Sequence, residues 1–332
     1  MSVKRRSLRR KYVSILSPIL LLLVIFYGIT YGPVPITLSE TWTALFSDGN
    51  TFQKKIIVDI RLPRVLLGLL VGGCLAASGA LLQGVMKNPL ADPGIIGVSS
   101  GAGLAAIITM VLLPEFGYLL PLMAFTGALF TSLVIYLLAW DQGASPVKII
   151  LAGVAINALL GAIMNGIMVV YSDRVQSVLP WLSGGLTGKG WYHLEFMAPY
   201  AIISLLASFL AIRPANLLLL GDHSAKLLGQ RVEIQRFSLI LLASLLAGAA
   251  VSVAGLVGFV GLVVPHIIRL LIGDDYAFLL PFSIVYGGIL VVLADTIARS
   301  WFDPIELPVG ILLACLGAPF FLFLLKKRRI LS

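Results

Sequence analysis

Nine stretches of this chain run for about twenty residues or more with almost no charge, near 13–32, 64–87, 94–113, 117–140, 147–171, 193–213, 234–272, 277–298 and 306–325. A helix needs roughly 20 apolar residues to cross the hydrocarbon of a bilayer, where each peptide group must find its hydrogen bond inside the segment. Such repetition leaves an all-α polytopic membrane protein as the fold class, since barrel strands would be shorter and would alternate. Charged residues make up only 12% of the 332, against about a quarter in soluble domains. The net charge of +9 therefore reads as topology-setting lysines and arginines, not as a nucleic-acid surface.

Lys4, Arg5, Arg6, Arg9, Arg10 and Lys11 precede the first block, and Lys326, Lys327, Arg328 and Arg329 follow the last. Basic flanks stay cytoplasmic, so both termini are expected there and the number of spans must be even. The seventh block is too long for one span and is interrupted by Gly255, Gly258 and Gly261. Dividing it there gives about ten transmembrane helices in a single domain over 1–332. A basic tail, 1–12, leads into six helices over 13–213. A polar loop, 214–236, separates these from four more over 237–325 and a basic tail, 326–332. No small-residue cleavage site follows the first block, so it reads as a helix and not as a leader. Lys54, Lys55, Arg61, Arg64, Arg174, Lys189 and Arg299 fall on the outer side of this topology and need another explanation.

Sliding the chain by 176 residues aligns Gly72 with Gly248, Gly79 with Gly255 and Pro89 with Pro265. The two copies start from opposite sides of the membrane, the plan of an inverted repeat. The polar loop contains Asp222, His223, Lys226, Arg231, Glu233 and Arg236. Asp222 suits an N-cap, Ala225 and Leu228 one face of a short helix, and Gly229 the left-handed residue that ends it. A capped helix in a connection suggests either a docking element or a plain loop.

Several motifs imitate chemistry. Gly184–Gly190 is one residue short of a phosphate-binding loop and has Gly190 where a magnesium-binding hydroxyl would stand. Gly101-Ala102-Gly103 has no preceding strand. His193, His223 and His266 lack ligand spacing, and His266 after Pro265 is expected to cap a helix end. Cys74 and Cys315 read as small buried hydrophobes. Asp295, four residues before Arg299, suits an interfacial ion pair, and Gln83, Asn157 and Asn165 suit helix-to-helix bonding. No energy source is visible within the chain.

The strings RLPRVLLGLLVGG, NPLADPGIIGVSSGAG, LLLLGDHSAKLLG, GFVGLVVPHIIRLL and ELPVGILLACLGAPFF together resemble the binding-protein-dependent permease family that imports iron-siderophores, haem and vitamin B12, from about Arg61 to Leu325. The resemblance implies the non-enzymatic membrane subunit of an ATP-binding-cassette importer in a bacterial inner membrane. Its expected partners are a second permease, two cytoplasmic ATPases that hold the ATP and magnesium, an extracellular or periplasmic binding protein, and a metal-chelate substrate. No cofactor is expected in the chain itself. It further implies that Leu217, Leu220, Gly221, Asp222, Ala225, Lys226, Leu228 and Gly229 form the loop that couples to the ATPase. Arg61, Arg64 and Arg299 would dock the binding protein. Asn88, Pro89 and Leu90 would form the inner gate, with Pro146 and Val147 as a second ring that departs from the small hydroxylated residues of some relatives. Haem or vitamin B12 stand as alternative cargoes, and a secondary transporter without an ATPase as the alternative machine.

Overall fold

The structure, a computed structural model, describes residues 3–46, 51–141, 143–302 and 305–331. Fifteen α-helices follow one another among them. The first half contains α1 Val3–Thr30, α2 Leu38–Phe46, α3 Phe52–Lys54, α4 Leu62–Val85, α5 Val98–Ile107, α6 Leu120–Leu138 and α7 Pro146–Val170. The second contains α8 Val175–Ser183, α9 Trp191–Leu210, α10 Ile212–Leu219, α11 Asp222–Leu227, α12 Val232–Ala254, α13 Val260–Ile272, α14 Tyr276–Ser300 and α15 Val309–Leu331. A π-helical turn, Lys55–Arg61, fuses α3 and α4 into one rod. Among the described residues, seven helical segments are long and apolar enough to cross a membrane, and Val98–Leu112, Val260–Ile272 and Val309–Phe323 are shorter apolar helices.

The long seventh block is divided as its glycines indicate. Gly255 (φ 69°) ends α12, and α13 begins after Phe259, which also has a positive φ of 67°. A side chain seldom tolerates that conformation; here the Phe259 ring is wedged over Gly317 of α15, where an added Cβ would stand 2.5 Å from Cγ. The two aligned strings diverge at the same place. Gly79 lies inside α4 whereas Gly255 terminates α12, and Pro89 follows α4 whereas Pro265 lies within α13. His266, expected at a helix end, is likewise inside α13, and Cys315, expected to be buried, is exposed.

The rod Phe52–Val85 is the axis of the bundle, with 83% of its apolar window buried against 11% for α7. Its α4 part packs on α12, α13 and α14. Glycines set these approaches: a Cβ at Gly72 would lie 2.1 Å from the Gly287 carbonyl oxygen of α14, and one at Gly79 would lie 1.9 Å from that of Gly261 in α13. Backbone cannot yield as a side chain tip does, so overpacking here displaces whole helices. Gly79→Val is therefore expected to abolish the folded permease, whereas Gly166→Ala, with nothing within 4 Å of the new carbon, should leave it intact. Yield of monodisperse protein and thermal unfolding in detergent distinguish the two.

Candidate functional site

Two polar assemblies occupy opposite ends of α4. At its C-terminal end the chain must turn before Pro89, which cannot continue a helix. Lys87 takes a φ of 49°, the Asn88 amide donates to the Gln83 carbonyl at 3.1 Å, and the Asn88 side chain accepts from the Leu90 amide at 3.0 Å. Gln83 itself donates to the carbonyls of Gly261 and Leu262 at 3.3 and 3.2 Å, tying this end to α13.

Near this turn lies α11. Its N-cap is Gly221, not Asp222; Asp222 belongs to the first turn, where a carboxylate also complements the helix dipole. The C-terminus closes as a Schellman motif: Gln230 donates to the Ala225 carbonyl at 3.0 Å and Gly229 (φ 79°) to that of Lys226 at 2.9 Å. Ala225 faces inward and is fully buried, so it cannot share a docking face with Leu228. The outward apolar residues are Leu220, Leu227 and Leu228, exposed by 59, 76 and 58%. Leu217 is partly buried and Lys226 is exposed.

Asp222 joins α11 to its surroundings. One carboxylate oxygen accepts from Lys87 Nζ at 2.7 Å and the other from Arg236 Nη2 of α12 at 2.7 Å. Buried Arg236 also donates to the Ala144 carbonyl at 2.7 Å and to Glu233 at 3.1 Å, and Glu233 accepts from the Ala144 amide at 3.1 Å. Two residues on, Pro146 opens α7 behind its Ser145 cap, and Val147 is exposed. The turn at Asn88–Leu90 and the start at Pro146–Val147 are thus linked to the same carboxylate. Partial burial alone would raise the pKa of Asp222, but Lys87 and Arg236 outweigh it and hold it below the usual carboxylate value.

At the other end, Arg61, Arg64 and Arg299 are only 2, 5 and 2% exposed. Arg61 donates to the carbonyls of Ile29, Thr30 and Val34, and Arg299 to that of Gly28. The carbonyls of Gly28, Ile29 and Thr30 belong to the C-terminal turn of α1, where they lack partners within the helix. Arg64 makes a two-pronged bond to Asp295 at 2.9 and 3.0 Å and a third to Glu306 at 2.9 Å. Asp295 also faces Arg299 at 3.7 Å, so the expected interfacial pair is one edge of a buried network. Burial would raise the pKa of Glu306, but Arg64, Thr187 and Arg299 lower it overall. The three guanidiniums are engaged inward and are not presented at the surface.

Sequence reasoning assigned no site role to Lys87, Leu227, Arg236 or Glu306. Lys87 precedes the NPL string and Leu227 stands within the loop string, but neither spacing nor charge pattern marks their partners.

The model of the FecCD transport family matches residues 20–327. The Fe(3+)-citrate import system permease protein YfmD of Bacillus subtilis is 38% identical over 99% of this chain and 98% of its own length. The hemin transport system permease protein HmuU of Yersinia pestis is 39% identical over 94% of each. A solved structure described as an inward-facing metal-chelate type ABC transporter superposes with a TM-score of 0.86 at 29% identity, over 96% of this chain and 99% of that one.

Proposed function

This chain belongs to the FecCD transport family, and on that footing we propose that it is the membrane permease subunit of an ATP-driven importer whose cargo is a ferric chelate, a siderophore or citrate complex. Haem or vitamin B12 would pass through the same machine. The observation that carries the mechanism is the Asp222 carboxylate, held at 2.7 Å by both Lys87 and Arg236. It connects α11, with its outward leucines, to the turn at Asn88, Pro89 and Leu90.

In this reading α11, within the coupling loop Leu217–Gly229, seats in a groove of a cytoplasmic ATPase that holds ATP and magnesium. Closure of the ATPase pair moves α11, and Asp222 passes the motion to the inner gate formed by the 88–90 turn and by Pro146 and Val147. Seven long and three shorter apolar helices among the described residues support a ten-span permease in the inner membrane, with its basic termini in the cytoplasm. The exposed faces of α7 support contact with lipid and with a second permease around a central path. Arg61, Arg64 and Arg299 frame the outer face that receives the binding protein; their burial favours a role in holding that face in shape.

The Lys87–Asp222 pair is more than a third exposed on each side, so its loss should cost little stability, at most about 1 kcal/mol. Its effect belongs in coupling. In proteoliposomes containing the full complex, Asp222→Asn and Lys87→Met should each lower transport per ATP by roughly fivefold or more. Hydrolysis should continue, and the double variant should be no worse than Asp222→Asn alone, which also loses the bond to Arg236. Unchanged stoichiometry in both single variants would remove this pair from the mechanism.

A further inference from the structure

The loop Gly184–Gly190, dismissed as a phosphate-binding motif, borders a pocket of about 590 Å³, within the roughly 300–1,000 Å³ of small-molecule sites. Its walls are largely apolar, with Met110, Leu179, Trp181, Val253 and Pro308 among them. The loop is pinned by its backbone: Gly185 donates to the Ala254 carbonyl at 2.7 Å, and Gly310 donates to that of Gly184 at 3.0 Å. Gly184 takes a φ of 68°, and a Cβ there would stand 2.5 Å from the Leu256 carbonyl oxygen. The loop side of the pocket is therefore held by its backbone.

Two charged residues line it, Lys189 and Glu306. Glu306 is already committed, accepting from Arg64 at 2.9 Å and from Thr187 at 3.0 Å. Lys189 is partly buried and has no ion-pair partner among the described residues. Its burial pushes its pKa down, the response of a cation that lacks a counter-charge. Behind Glu306, Arg64 pairs with Asp295 and Glu306 and Arg299 faces Asp295, while Arg61 donates to backbone carbonyls, so the surroundings also carry an excess of positive charge. An ammonium in an apolar pocket of this size suits a bulky anion with apolar or polarisable flanks better than a small hydrated ion.

We infer that this pocket is a binding subsite for an anionic ferric chelate, one bearing free carboxylate or catecholate oxygens, with Lys189 donating to one of those oxygens. The inference rests on the importer reading for the identity of the cargo. It gives this chain a selection by charge, independent of whatever the binding protein selects.

The test uses the full-length permease in lipid nanodiscs. Ferric citrate is titrated while Trp181 emission is followed, with Trp181→Phe supplying the background from the other tryptophans. Saturable quenching is expected, weakened about tenfold or more in Lys189→Met, the scale of a lost charge-assisted hydrogen bond, and retained in Lys189→Arg. An uncharged ferric trihydroxamate should bind equally to the wild type and to Lys189→Met. Absence of saturable quenching by ferric citrate, or equal quenching in the wild type and Lys189→Met, overturns the subsite. ATP-driven uptake by the assembled complex is measured in parallel. Quenching that depends on Lys189, without uptake of any chelate, would retain the subsite and reject the importer reading.

Discussion

Asp295→Ala is expected to destabilise the permease by about 3–5 kcal/mol, the usual consequence of removing one partner from a buried ion pair. Asp295 is 4% exposed and faces both Arg64 and Arg299. Its truncation leaves Arg299 with the Gly28 carbonyl and Arg64 with Glu306. Neither guanidinium can shed its proton as a way out. The double variant Arg64→Met with Asp295→Leu should be the milder, because replacing a buried pair by apolar groups of similar volume is often close to neutral. Thermal unfolding of the purified subunit ranks the two. If Asp295→Ala unfolds like the wild type while Arg64→Ala abolishes capture of the binding protein, the arginines are contact residues and not the frame of that face.

The membrane architecture was legible because the bilayer imposes a length on each helix and excludes charge from it. Block limits near 147–171 and 277–298 lie within about two residues of α7 and α14. The division of the seventh block was legible for the same reason, since Gly255 permits a backbone conformation that ends a helix. Phe259 was not, because its positive φ depends on a glycine 58 positions later in the chain. The helix α11 and its glycine stop could be read locally, whereas the inward turn of Ala225 depends on how the helix lies against its neighbours.

The charged groups were the least legible part. Arg61, Arg64 and Arg299 were singled out for falling on the outer side of the expected topology, and the structure buries all three. Their partners are distant: Arg64 meets Asp295 across 231 positions and Arg61 meets Ile29 across 32. Nothing in local spacing reports such pairs. Lys87 and Asp222 are likewise 135 positions apart, although Lys87 stands beside, and Asp222 within, a string that the family resemblance had marked.

The proposed coupling surface gives the other large effect. Leu227 and Leu228 project from α11 at 76 and 58% exposure, an arrangement that a free loop in water would not favour and that a groove would cover. Aspartate at both positions would place uncompensated charge in that contact and should cost several kcal/mol of assembly. Lys226→Ala, at the rim, should cost under about 1 kcal/mol. The loop lies outside the spanning segments, so the variant subunit should still purify folded.

The most direct measurement is ATP-driven uptake of ferric citrate into proteoliposomes containing permease, ATPase and binding protein, with ATPase co-purification scored on the same preparations. The wild type should accumulate the chelate only with hydrolysable ATP, and Leu227→Asp with Leu228→Asp should lose both the ATPase and the uptake. Uptake by the permease alone on an ion gradient, or full assembly and transport in the double variant, would contradict the claim that this chain receives its work through α11.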